Sequence, residues 1–329
     1  MKHSKIFKLV KIKHHGRIAL HPYSTWLSTW EIYPILLIAS FFRFYQLNTA
    51  EFDEDQAVLF RMAHDAIAHG LLPVTSNIAS INSVHFPLAI YLLMIPAAFS
   101  ANPLGGMILV AFLNVLAVLL TYIFVRRYFG RTAAVIAALF FASASKPILF
   151  SRFIWQPNMV VLFIVLFLFP LFWGVVERRK GWLFPALLLL GAMVQLHETT
   201  ILLAIPLLVA IVLVPETLRW RDFVFGLLSL LVLYFPFLLW EVSTQFADVS
   251  IILNLSKLPS HIDAVAITYY RDFFSPYDTL ARPNDPRTLL YQLAPLLLWL
   301  RRFMLILVIG GFATALLSIM LSFISPKAE

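Results

Sequence analysis

Apolar runs separated by short clusters of arginine and lysine recur from residue 30 to residue 324. A helix needs roughly 20 mostly apolar residues to cross the hydrocarbon core of a bilayer. Eight runs read as spans: Trp30–Gln46, Leu104–Val125, Thr132–Phe150, Met159–Val176, Trp182–Gln195, Thr199–Val214, Phe223–Trp240 and Phe303–Ile324. Within lipid each backbone polar group has to be satisfied internally, so such runs fold as helices. The expected fold is an all-α polytopic membrane protein, a bundle of about eight transmembrane helices with amphipathic helices in the first outer loop. Composition agrees, with 61% hydrophobic and 13% charged residues, against about 25% charged in a soluble domain. A water-soluble enzyme and a disordered tail are thereby excluded. The net charge of +8 is no nucleic-acid footprint, because the basic residues sit in clusters between apolar runs. There are no cysteines, hence no disulfide, thiolate metal site or cysteine nucleophile.

Charge orients the bundle. Basic residues gather on the cytoplasmic side of short loops. The run Phe86–Ser100 is too short to decide by length, and it carries Pro87 and Pro96. If it does not cross, 15 of the 25 Lys+Arg fall inside, against 5 of the 17 Asp+Glu. If it crosses, the Arg126–Arg131 and Arg178–Lys180 clusters move outside. It therefore reads as an interfacial or re-entrant helix. The expected organisation is a basic cytoplasmic N-terminal segment over 1–29, retained as an anchor; a transmembrane domain over 30–324; and a cytoplasmic tail over 325–329. Both termini lie in the cytoplasm of a multi-pass inner-membrane protein.

The two long outer loops, 47–103 and 242–288, place any chemistry at the outer face. Few ionisable groups lie within the spans, which argues against transport. The first loop opens with Glu51-Phe52-Asp53-Glu54-Asp55-Gln56. Asp55–His69 then reads as a surface helix, with Leu59, Met62, Ala63 and Ala66 on its apolar stripe. A carboxylate at its start can act as a general base, or hold a divalent cation. The same residues suit a cap: Asp53 and Gln56 have capping-box spacing, with Phe52 placed as a hydrophobic staple.

Other polar residues have two readings each. Arg152 and Lys146 flank the outer end of a span, where they hold a phosphate or snorkel to the interface. His85 contacts a sugar or acceptor, or caps the interfacial helix. His197 and Glu198, at a tight turn between spans, line an outer cavity or form a polar turn. Tyr269–Phe274 and Arg282–Pro286 in the second loop suit sugar stacking or an interfacial aromatic belt.

In order along the chain, several segments resemble the GT-C membrane glycosyltransferases. The resemblance is to the glycosyltransferase 39-like family of protein mannosyltransferases and aminoarabinose transferases. They are a first span containing Arg43, then Phe52-Asp53-Glu54, His85-Phe86-Pro87-Leu88, the basic turn Arg126–Arg131, Ser151-Arg152, and Gln195-Leu196-His197-Glu198-Thr199. The resemblance covers about residues 30–324. It implies a GT-C-like bundle that moves a sugar from a polyprenyl-phosphate donor to an acceptor at the extracytoplasmic face. It implies Asp53 as the catalytic carboxylate, with Glu54 its acidic neighbour, and Arg152, His85, His197 and Glu198 as donor-phosphate or substrate-binding residues. The partners expected are the bilayer, the lipid-linked sugar, an acceptor and a membrane complex, and no nucleic acid. Many relatives place a second acid in the short outer loop after the third span; here residues 151–158 hold none, so a divalent cation has no support in the sequence. Two other readings stay open: a non-catalytic membrane subunit that keeps the scaffold, and a transporter of a lipid-linked substrate.

Overall fold

The computed structural model describes residues 29–79, 82–255, 299, 302–303, 305–306, 309–314 and 317. The expectations for the basic N-terminal segment, for the second outer loop beyond 255 and for most of the last apolar run lie outside these residues. The chain forms two compact units, Met1–Ala142 with Phe150–Leu258, and Ser143–Leu149 with Pro259–Glu329. Among the described residues the structure is helical, with an isolated antiparallel bridge between Ile78 and Val84.

The helices are α1 (Ile32–Phe44), α2 (Glu54–His69), α3 (Leu88–Ala97), α4 (Leu104–Phe129), α5 (Arg131–Ser143), α6 (Ser145–Phe150), α7 (Gln156–Val175), α8 (Leu183–Leu196), α9 (Ala204–Leu213), α10 (Trp220–Ser243) and α11 (Ala247–Leu255). Of these, α4, α7 and α10 are long and apolar enough to cross a membrane on their own. At 1.5 Å per residue α4 extends about 39 Å, against a hydrocarbon core of about 30 Å. The helical parts of α1, α3, α5 and α8 are shorter, as is the stretch Glu198–Leu213.

Local chemistry sets several boundaries. The run expected as one span over Thr132–Phe150 is interrupted between α5 and α6. Pro147 has no N–H for the carbonyl of Ser143, and its ring would clash there. The carbonyls of Phe141 and Ala142 are instead taken by the Arg43 guanidinium, each at 3.0 Å. Helix α10 continues to Ser243, and α11 follows over Ala247–Leu255.

Two apolar clusters build the first unit. In one, Ile32, Ile35 and Ala39 of α1 meet Val118 and Tyr122 of α4 and Ala134, Ala138 and Ala142 of α5. Alanine at every fourth position gives α5 a flat face, and small residues of this kind let membrane helices approach closely. The larger cluster packs α4, α7 and α8 with α2 and α3. Gly174 on α7 lies against the Trp182 ring, whose Nε1 donates to Thr217 Oγ1 at 2.8 Å.

The two ends of α1 mark the two ends of this unit. At its start, buried Glu31 accepts from Arg126, Arg131 and Tyr122 at 2.7 to 3.0 Å. On the same basic turn, Arg127 is paired to Glu177, which also pairs with Arg179, each at 2.6 Å, and accepts from the Tyr128 hydroxyl at 2.7 Å. The basic turn is thus clamped by two buried carboxylates. At the other end of α1, Arg152 donates to the carbonyls of Phe42, Tyr45 and Gln46 at 2.8, 2.8 and 2.9 Å. The segment leading into α3 lies at this second end: Gln156 donates to Asn77, whose carbonyl accepts the His85 N–H. The start of α4 lies there too, with Gly106 against Ile154 and Phe60. Helix α3 is ten residues long, about 15 Å, and it begins and ends at the Arg152 end of the bundle.

Candidate active site

Asp53 adopts an extended conformation at the N-cap of α2. Its carboxylate accepts the Asp55 N–H at 3.2 Å, while Gln56 Oε1 accepts the Asp53 N–H at 2.7 Å. This is the expected capping box, and it holds the carboxylate in a fixed place. The helix begins one residue earlier than Asp55–His69, at Glu54. Glu51, Asp53, Glu54 and Asp55 are all exposed. Phe52 is exposed as well, because its staple partner position holds only the methyl of Ala57. Below the cap, Leu59, Phe60, Ala63 and Ala66 are buried while Arg61, Asp65 and His69 face outward.

Three of the residues singled out in the sequence meet at one point. His85 precedes α3, and its Nδ1 lies 2.8 Å from Glu198 Oε1. Glu198 opens the 3₁₀ turn Glu198–Leu203 that follows α8. The Nδ1 of His197 lies 3.8 Å from the other oxygen of Glu198. The two segments are 113 residues apart. Burial of Glu198 favours its neutral form, but the hydrogen bond with His85, the backbone N–H of Glu198 and the pull of the two histidines prevail. Its carboxyl is held below the usual glutamate range.

The backbone around His85 is pinned on several sides. His85 donates its N–H to the Asn77 carbonyl at 3.0 Å, and its own carbonyl accepts the Ser76 N–H at 2.7 Å. Val84 N–H donates to Asp248 Oδ1 at 2.9 Å, and Trp240 Nε1 donates to Asp248 Oδ2 at 3.0 Å. The Phe86 ring packs on Tyr234 and Phe237 of α10. Asp248 was not among the expected site residues. Its sequence signal is one acidic residue in a mostly apolar stretch, Ala247–Leu255, shortly after a span, and only folding reveals that it is buried and tied to Val84.

An apolar groove of about 300 Å³ runs between α8 and α10. Leu187, Leu190 and Val194 line one wall, and Leu227, Leu231 and Leu238 the other. Ile201, three residues beyond Glu198, and Tyr234, against which Phe86 packs, also line it. The groove therefore reaches the turn that carries Glu198. Of the other expected residues, Arg152 directs both Nη atoms to the end of α1, and Lys146 lies on α6. Asp53 and Glu54 have no hydrogen bond to the histidine cluster among the described residues. No group of three His, Asp or Glu side chains among those residues is placed to hold a metal ion.

Comparison with curated proteins and with solved structures gives no match. Residues 84–240, just under half of the chain, match the family model described as dolichyl-phosphate-mannose-protein mannosyltransferase. That stretch begins beside His85 and takes in Arg152, His197 and Glu198; Asp53 and Glu54 lie upstream of it. The stretch 84–240 of this all-α membrane protein is thus similar to a family of membrane glycosyltransferases of GT-C type.

Proposed function

We propose that this protein transfers a sugar from a polyprenyl-phosphate donor to an acceptor at the extracytoplasmic face of the inner membrane, with both termini in the cytoplasm. The observation that carries the reading is the polar cluster of His85, Glu198 and His197 at the head of the apolar groove between α8 and α10. An amphiphilic donor needs such a junction, with polar partners for its head and apolar walls for its tail.

In this reading Asp53 takes the proton of the acceptor hydroxyl. The acceptor oxygen attacks the anomeric carbon, the bond from that carbon to the phosphate oxygen breaks, and polyprenyl phosphate leaves with the bonding electrons. The proton passes from Asp53 to water. Glu54 keeps the site acidic beside the base, and Arg152 brings a permanent cation to the same end of the bundle as the donor phosphate. His85 and His197 contact the head of the donor.

The test is transfer from radiolabelled polyprenyl-phosphate sugars in membranes that contain the wild type or Asp53→Asn. Labelled acceptor from the wild type and none from the variant supports the proposal, and full activity in the variant ends it. A wild type that transfers none of the sugars and co-purifies in a stable complex favours a scaffold subunit instead.

A further inference from the structure

We propose that Glu198 is a positioning residue that fixes the ring of His85 so that Nε2 receives a hydrogen bond from a sugar hydroxyl of the lipid-linked donor. The inference rests on the glycosyltransferase reading above and assigns a part within it.

A carboxylate oxygen only accepts hydrogen bonds. At 2.8 Å from Glu198 Oε1, Nδ1 of His85 therefore carries the hydrogen. In the neutral ring the lone pair then stands on Nε2, since the bond made by one nitrogen sets the state of the other. A lone pair attracts a hydroxyl or an amine; phosphate oxygens, themselves acceptors, are disfavoured there. On a lipid-linked sugar the donor groups are the hydroxyls. Nε2 has no hydrogen-bond partner among the described residues, and the His85 side chain is 23% exposed, so a ligand can reach it.

The segment that carries His85 is held in place, and the Glu198 contact at Nδ1 orients its ring. Its backbone is tied to Ser76 and Asn77, its neighbour Val84 to Asp248, and its neighbour Phe86 to Tyr234 and Phe237. Support of this kind, placed behind the residue that meets the ligand, is what holds a recognition group in productive geometry. His197, at 3.8 Å from Glu198, is beyond hydrogen-bond reach and does not compete for the oxygen that His85 uses.

The experiment uses the full chain in lipid nanodiscs and has two readouts. Nitrogen-15 histidine spectra, assigned by loss of the signal in His85→Gln and recorded at a pH where the ring is neutral, should show the His85 hydrogen on Nδ1. That state should vanish in Glu198→Leu and return in Glu198→Gln, whose amide oxygen still accepts. Binding is then measured for polyprenyl phosphate and for the same lipid carrying mannose, glucose or a pentose. The wild type should bind at least one sugar-bearing lipid more tightly than the bare one. Glu198→Leu and His85→Ala should lower that affinity roughly 10-fold, the worth of one hydrogen bond, with a smaller loss for the bare lipid, and Glu198→Gln should keep the wild-type affinity. Equal losses for both lipids, a wild type with no preference for any sugar, or a hydrogen on Nε2 overturns the inference while the glycosyltransferase reading stands. A wild type that binds neither lipid overturns that reading and this inference with it.

Discussion

Asp53 and Gln56 cap each other: the Asp53 carboxylate accepts a backbone N–H of the first turn of α2, and Gln56 Oε1 accepts the Asp53 N–H at 2.7 Å. Asparagine caps a helix about as well as aspartate, so Asp53→Asn separates the charge from the cap. Sugar transfer should fall by at least ~100-fold, with thermal stability nearly unchanged. Asp53→Ala should lose activity as well and a further ~1 kcal/mol of stability. Thermal melting beside the radiolabel assay reads both. A stable, fully active Asp53→Asn would remove the base.

Glu177 and Arg127 form a pair with both side chains buried, at 2.6 Å. Removing one partner leaves the other charge buried, which costs about 3 kcal/mol or more. Arg127→Leu should therefore melt well below the wild type. Arg179, on the same carboxylate but 54% exposed, should cost no more than about 1 kcal/mol as Arg179→Ala. Equal effects of the two variants would contradict the burial argument.

Gly174 leaves no room for a side chain beside Trp182. A Cβ placed there would stand 2.5 Å from the indole ring, and the Trp182 Nε1 is held by Thr217. Gly174→Ala should destabilise by about 1–3 kcal/mol, the usual range for overpacking. Gly310, around whose Cβ position nothing lies within 4 Å, is the control, and Gly310→Ala should cost nothing through packing. A melting temperature unchanged in Gly174→Ala would mean that α7 and the Trp182 ring are not in contact.

Arg152 closes the end of α1 with three hydrogen bonds from one planar fork. A lysine keeps the charge but not the fork. Arg152→Lys should lose about 1–2 kcal/mol. If the cation also serves the donor phosphate, Arg152→Lys keeps most of the donor affinity and Arg152→Gln does not. Equal donor KM in both variants would leave Arg152 a purely structural residue.

Glu198 makes stability depend on acidity in a defined direction. Its folded pKa lies below 4.5, the value expected when unfolded. The contribution of the charged carboxylate is therefore full above the unfolded value and is lost as pH falls through the lower, folded one. The melting temperature of the wild type relative to Glu198→Gln should hold steady above about pH 5 and narrow on further acidification. A gap that widens in acid would reverse the sign of the shift.

Much of the bundle was legible because membrane helices leave a one-dimensional signal. The apolar runs that became α4, α7 and α10 needed only length and hydropathy. The capping box at Asp53 was legible for a similar reason, since its partners are three residues apart. The interruption at Ser143–Ser145 was missed: Pro147 stood in plain view, but hydropathy averages over it, and Arg43 was needed to take the freed carbonyls. Along the chain the arginines of the turn 126–131 carry only a topology signal. Their pairing with Glu31 and Glu177 depends on partners about 50 to 100 residues distant.

Local chemistry along the chain thus determined that this protein is a helical membrane bundle, where its longest helices lie, and that a rigid acidic cap opens its first loop, because each of those follows from residues a few positions apart. Only the tertiary structure decided that His85 shares a hydrogen bond with Glu198, that Asp248 anchors the segment before α3, and that an apolar groove leads to that point. Contacts across more than a hundred residues are set by how helices pack, and a packed interface has no period that a linear sequence displays.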